Sequence, residues 1–322
     1  MTLTISRRTA LTVLGSSVVM GIPLARAADA PTLLHISLVP IFDVAPYYAA
    51  NAEGYFAAEG LTVTTDPTIQ GGAVGIPALM SGSYDIVYSN SISVITALER
   101  GIDLRLIAQG SLISPPPNSS GLLQRKGDGF RTGKDLEGKT VGVNARYNIQ
   151  WLGMRAWVKK TGGDPDKVTY REVPIPSALD AIKNKQVDVG FVLDPYLTIG
   201  RDDPALEFID WPLYTVIPGG ATAFWIVTGK TAEEKPDLVR RFVRAYRKGA
   251  NWVNAHHGTE PFIKLVSSYT KIDPKLAGKM VVPEAELGVT LGPIKDLMAL
   301  MREHGLLKSD VDVQTKIFQV QA

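Results

Sequence analysis

A-L-M-S-G-S-Y-D-I-V-Y-S-N-S, residues 78–91, and A-I-K-N-K-Q-V-D-V-G-F-V-L-D, residues 181–194, are one pattern written twice without a gap. Each copy reads as a helix end, a polar turn, an apolar pair bracketing an aspartate, and a strand that stops at polar residues. The offset of 103 residues pairs Asp85 with Asp188 and Ser91 with Asp194. Solenoid repeats have periods of about 20–50 residues, so the longer spacing predicts two similar α/β lobes rather than a repeat array.

Working outward from the first copy, Leu33–Val39, Leu61–Thr65, Tyr84–Tyr88 and Leu104–Ala108 read as strands, separated by helices over Tyr47–Ala58, Ile76–Met80 and Val94–Arg100. Around the second copy the order returns: strands Gly121–Arg125, Thr140–Val143, Val168–Val173 and Val187–Val192, a helix through Trp151, Met154 and Val158, and a helix Ala178–Lys183 that Ser177 is placed to cap. Strands alternating with helices imply mainly parallel sheets. The run Ser114–Ser120, with prolines at 115, 116 and 117, is the clearest linker, because proline lacks the backbone donor that strands and helices use. After strands Leu206–Ile209 and Phe224–Val227 the chain turns helical. Val239, Phe242, Tyr246, Gly249 and Val253 share one face of a long helix, with a basic face at Arg240–Lys248 opposite, and Pro261 and Pro293 open later helices.

The 322 residues, 45% hydrophobic and 20% charged, suffice for a large core and argue against disorder. No cysteine is present, which excludes disulfides, thiolate metal sites and a thiol nucleophile. Residues 1–27 read as an export signal: Arg7 and Arg8, an apolar run Ala10–Leu24, and the small-x-small site Ala25-Arg26-Ala27. Ser6-Arg7-Arg8 resembles the twin-arginine motif, with Ala10 where a large apolar residue is usual. The 15-residue run is short of the roughly 20 residues that cross a bilayer. Cleavage near Ala27 removes three arginines and no acids, taking the formal charge from +2 to −1, so nothing in the mature chain calls for nucleic acid.

Asp43-Val44-Ala45-Pro46-Tyr47-Tyr48, Glu53-Gly54-Tyr55-Phe56, Glu59-Gly60-Leu61, Gln70-Gly71-Gly72, Gly82-Ser83-Tyr84-Asp85, Asp135-Leu136-Glu137-Gly138-Lys139 and Asp194-Pro195-Tyr196 stand in an order and spacing that resembles the periplasmic solute-binding proteins of ABC importers for nitrate, sulfonates, taurine and thiamine-pyrimidine precursors. The resemblance covers nearly the whole mature chain. It implies a two-lobed type II periplasmic binding protein fold, α/β, each lobe a mostly parallel sheet flanked by helices, with a two-strand hinge. It places lobe one at 32–117 plus 226–322 and lobe two at 118–225. The implied function is a periplasmic receptor, monomeric and without a cofactor, that closes on a small organic solute and hands it to an ABC permease. A sulfonate or carboxylate, taurine-like or aromatic, is the expected ligand, with a pyrimidine heterocycle as the alternative. Enzymes resembled at fold level, a desulfinase and a pyrimidine-forming synthase, depend on cysteine, so binding without turnover is expected.

Ligands of open α/β sheets sit beyond the carboxyl ends of the strands. The loops expected there carry Phe42, Asp43, Gln70, Gly71, Gly72, Ser89, Asn90, Ser91, Asn144, Arg146, Tyr147, Asp194, Tyr196 and Phe224. Converging helix N-termini make an anion site. Arg146 can pair an oxyanion or simply stand in solvent, and Asn90 and Ser91 can meet a ligand or cap a helix. Asp194 departs from a pure anion site. It repels an oxyanion but accepts from an amine, and its alternative is a bond to a nearby backbone amide. The adjacent His256 and His257 have no carboxylate at metal-ligand spacing and read as structural.

Overall fold

The computed structural model describes residues 30–67, 72–113, 119–280, 285 and 288–319. The expected export signal, Gln70, Gly71 and the linker residues 114–118 lie outside the described residues. Among the described residues ten strands form two sheets. β1 (Thr32–Leu38), β2 (Leu61–Pro67), β3 (Ile86–Asn90), β4 (Leu104–Gln109) and β10 (Ala223–Thr228) make the first, in the order β2-β1-β3-β10-β4. β5 (Ser120–Arg125), β6 (Thr140–Val143), β7 (Thr169–Glu172), β8 (Val189–Leu193) and β9 (Leu206–Phe208) make the second, in the order β7-β6-β8-β5-β9. In each sheet three strands are parallel and a fourth runs antiparallel between the third and the edge.

The two copies of the repeated stretch occupy the same place in the two sheets and make the same bonds. In the first, Ser83 N donates to Ala78 O at 2.9 Å and Gly82 N to Leu79 O at 3.1 Å. In the second, Gln186 N donates to Ala181 O at 2.9 Å and Lys185 N to Ile182 O at 3.1 Å. This is the paired closure of a helix C-terminus around one left-handed residue, which is Gly82 at φ +81° in one copy and Lys185 at φ +59° in the other. Asp85 Oδ2 then accepts from His35 N in β1, and Asp188 Oδ2 accepts from Thr140 N in β6, both at 2.8 Å. Each aspartate joins the turn to the neighbouring central strand, which is why β3 begins at Ile86 rather than at Tyr84.

Two other expectations shift. The helix expected over Tyr47–Ala58 is two, Ala45–Ala52 and Tyr55–Ala58, because Gly54 between them adopts φ +72°. Ser177 precedes the helix Ala178–Lys183 but is itself in a right-handed helical conformation, so its hydroxyl makes no cap. The long helix Pro236–His256 buries Val239, Phe242, Tyr246, Gly249 and Val253, at the spacing that puts them on one stripe, and packs on Ala45–Ala52 of the first lobe. On its other face Arg244 and Lys248 pair with Glu59, and Arg241 with Asp237. Helix Leu291–Glu303 buries Ile294, Leu297, Met298 and Met301 in a cluster shared with Val94 and Leu98.

The chain crosses between the sheets twice, between β4 and β5 and between β9 and β10. The crossings lie side by side and antiparallel: Ile113 N donates to Gly220 O at 2.9 Å, Gly219 N to Ile113 O at 2.7 Å, and Thr222 N to Ser111 O at 3.2 Å. Among the described residues two ion pairs also span the lobes, Lys159–Glu303 at 2.8 Å and Lys279–Asp202 at 2.6 Å.

Candidate functional site

Parallel strands of both sheets point their carboxyl ends, and the antiparallel β5 and β10 their amino ends, at one cavity of about 120 Å³. By the measure in which one water needs about 10–15 Å³, it has room for on the order of ten waters. Val39 follows β1, Asn90 ends β3, Asn144 follows β6, Leu193 ends β8 and Asp194 follows it; Leu112, Ile113 and Thr222 of the crossings, with Ala223 at the start of β10, also line it. Ile41, Ile149, Ile175 and Leu213 make most of the remaining wall apolar. Among the described residues that line it there is no lysine, arginine or histidine, but there are two aspartates, Asp43 and Asp194.

Asp194 is 5% exposed. Its Oδ1 accepts from Thr198 N and from Thr198 Oγ1, both at 2.9 Å, so part of the carboxylate caps the helix Tyr196–Asp202. Burial pushes its carboxyl up to about 6, against the pull of those two bonds. Asp43, in the short helical turn Phe42–Val44, is buried as well, and burial again raises its carboxyl. Its Oδ2 lies 2.8 Å from Thr222 Oγ1 and 3.5 Å from the Tyr88 hydroxyl. On the second wall, Asn148 caps the helix Ile149–Lys160 through Trp151 N at 3.1 Å and donates from Nδ2 to Asn144 Oδ1 at 2.6 Å. Asn144 N donates to Gln150 Oε1 at 2.7 Å. The Asn144 side chain is thereby turned into the cavity with its carbonyl already engaged.

Of the residues expected in the cleft, the structure brings Phe42, Asp43, Asn90, Asn144 and Asp194 to this cavity. Asn90 also caps the helix Ser91–Glu99, accepting from Ser93 N at 3.0 Å. Ser91 turns away and donates to Ala221 O at 2.8 Å, tying β3 to the returning crossing. Ser89 and Phe224 are buried within the first sheet, Tyr196 packs beside the second-lobe core, and Gly72 opens the helix Gly72–Met80. Arg146 and Tyr147 stand outside the lining. Tyr147 is 58% exposed at φ +60°, with the Arg146 guanidinium 5.3 Å from its ring. His256 Nδ1 lies 2.7 Å from Trp252 O, and its ring stacks on Trp252. Tyr88, Tyr214 and Thr222 line the cavity without having been expected there. Tyr88 was within reach of the strand-end rule, two residues before Asn90, whereas Tyr214, on the short helix Pro212–Val216, and Thr222 lie on the returning crossing between β9 and β10, which that rule does not reach.

Comparison with known proteins agrees with this architecture. The chain is 24% identical over 226 residues to the riboflavin-binding protein RibY of Chloroflexus aurantiacus, covering 68% of this chain and 62% of that one. It is 25% identical over 222 residues to a putative aliphatic sulfonates-binding protein of Bacillus subtilis, covering 66% and 63%. Both alignments thus span less than two thirds of the relative's length. Among solved structures, the alkanesulfonate-binding protein SsuA from Xanthomonas axonopodis pv. citri bound to MOPS superposes with a TM-score of 0.73 at 18% identity, over 90% of this chain and 99% of that one. That likeness shows the two-lobed binding-protein fold. The family model described as NMT1/THI5 like matches residues 41–258, more than half of the sequence, and the chain belongs to that family.

Proposed function

We propose that this chain is the periplasmic receptor of an ABC importer, exported with cleavage near Ala27, and that it captures a small organic solute between its lobes without chemical turnover. In this reading lobe one comprises about residues 32–117 plus 226–322 and lobe two about 118–225. The paired crossings at Ser111–Ile113 and Gly219–Thr222 act as the hinge, and a membrane permease takes the solute from the closed monomer. The observation that carries the reading is the cavity itself, which lies at the strand ends of both sheets and over the crossings, so that rotation about the crossings opens or buries it.

The wall chemistry favours an amphoteric solute, a taurine-like sulfonate or carboxylate with an amine. Asp194 is placed to accept from the amine, and the Asn144 amide and the helix starts around Asn90 and Phe42 supply donors for the oxyanion. An aliphatic stem fits the isoleucine and leucine walls. A thermal-shift panel of taurine, short alkanesulfonates, ω-amino carboxylates and an aminopyrimidine tests this, since a ligand that binds the folded state raises its stability by mass action. The expected result is a shift with taurine or an ω-amino carboxylate that exceeds the shift with the unsubstituted alkanesulfonate of equal length. A response to the aminopyrimidine alone would replace this ligand class, and turnover of a bound compound would overturn the receptor assignment.

A further inference from the structure

Thr222 Oγ1 sits 2.8 Å from Asp43 Oδ2 and 2.9 Å from Ser111 O. Both separations are those of hydrogen-bonded oxygens, yet both neighbours are acceptors when Asp43 is ionised, and one hydroxyl carries one proton. One of the two contacts would then be oxygen against oxygen with nothing between. A proton on Asp43 satisfies both: Asp43 Oδ2–H donates to Thr222 Oγ1, and Thr222 Oγ1–H donates to Ser111 O.

We propose that Asp43 stands in the cleft as a neutral carboxylic acid, held by this relay to both crossing strands, and that its neutrality determines specificity by admitting the ligand's oxyanion to the first-lobe wall. The surroundings agree. Asp43 is buried, and the groups that face it are the hydroxyls of Tyr88 on β3, of Ser111 and Thr222 on the crossings, and of Tyr269 on the helix Glu260–Thr270 beside Tyr48. The other carboxyl in the cavity lining is Asp194 on the second lobe. No cation among the lining residues is available to hold Asp43 ionised, and burial raises the Asp43 carboxyl and the Tyr88 and Tyr269 hydroxyls alike. The cleft then has a division of labour. Asp194, raised only to about 6 and so ionised at neutral pH, is its anionic wall, and the protonated Asp43 is its neutral one. An ionised Asp43 would instead close the first wall to sulfonates and carboxylates.

The ligand consequence rests on the function proposed above, while the relay does not. The experiment therefore has two arms. In the first, the ligand-free full mature protein carries aspartate labelled with carbon-13 at the side-chain carboxyl, and its NMR signals are followed against pH. One signal stays at the protonated position through about pH 7, far above the ordinary aspartate value near 3.9, and is missing from Asp43→Asn. Thr222→Val, which removes the proton's acceptor, moves the same signal and identifies it if the asparagine variant does not fold. An Asp43 signal at the ionised position at neutral pH overturns the proposal. In the second arm, taurine and ethanesulfonate are titrated by calorimetry. In Asp194→Asn, where Asp43 is the one carboxyl left among the described lining residues, ethanesulfonate titrated at about pH 7.5 in buffers of different ionisation enthalpy should bind with less than about 0.2 of a proton taken up, because Asp43 already carries its own. Uptake approaching about one proton, the sign of an Asp43 ionised until the anion arrives, overturns the proposal. Wild-type protein that binds neither probe removes the proposed ligand class, and the carboxyl signal still decides the relay.

Discussion

Asp194→Asn should make the empty protein more stable and the receptor worse. Burial lifts the Asp194 carboxyl from 3.8 to about 6. At about 1.4 kcal/mol per pH unit, keeping it ionised in the folded state costs about 3 kcal/mol at neutral pH. The sign follows from the direction of the shift. A carboxyl whose folded value is raised favours folding where both states are protonated, below about pH 4, and that contribution is lost as pH rises through about 6. Asparagine carries no charge at any of these values, and its side-chain carbonyl can still accept from Thr198 N and Thr198 Oγ1. The variant should therefore exceed wild type by up to about 3 kcal/mol at pH 8, or about 6–12 °C in Tm at about 2–4 °C per kcal/mol, and match it near pH 4. Urea denaturation of ligand-free protein at the two pH values measures this. Calorimetric titration with taurine should show affinity falling by about 10- to 100-fold, the scale of one charged hydrogen bond at about 1.5–3 kcal/mol. A variant less stable than wild type at pH 8, or a gain of the same size at both pH values, would refute the reasoning.

Lys185→Gly should stabilise the fold by about 0.5–1 kcal/mol, because it places at φ +59° the residue type that the equivalent turn uses at Gly82; chemical denaturation reads it, and a loss of stability would count against the equivalence of the two turns. Gly249→Ala runs against helix propensity: although alanine is the better helix former by about 1 kcal/mol, its methyl would press on Pro46 O and Ala50, so a net loss of about 1–3 kcal/mol is expected in the same assay. Lys159→Glu should weaken solute binding by no more than about fivefold, with recovery on adding Glu303→Lys, since the pair bridges the lobes but its side chains are 56% and 46% exposed. A double variant no better than the single one would remove this pair from closure.

The repeated stretch was legible because its bonds are local. The helix closure and the aspartate that reaches the next strand involve residues within seven positions of one another, Ala78 to Asp85 and Ala181 to Asp188, and one partner strand, so their types recur at fixed spacing. The five cleft residues found from sequence, Phe42, Asp43, Asn90, Asn144 and Asp194, all follow from the rule that ligands meet strand ends. What that rule leaves open is direction. Ser91 stands beside Asn90 but is claimed by Ala221 O, a partner 130 residues away, and Tyr147 stands between Asn144 and Asn148 but its left-handed backbone turns the ring outward. Long-range partners and a single φ value decide both cases. Thr222 was illegible for the same reason, since its place beside Asp43 spans 179 residues.

The strand order also fixes a schedule for assembly. Among the described strands β4 pairs with β10 alone, so the first sheet remains three strands and a detached edge until Thr228 has left the ribosome. The second sheet has all its strands by Phe208. Chains are made from the N-terminus and domains usually fold in that order, but here the lobe begun second is the first that can be finished. A nascent chain arrested between residues 208 and 223 should therefore hold a protease-resistant second lobe beside a first lobe still open to cleavage.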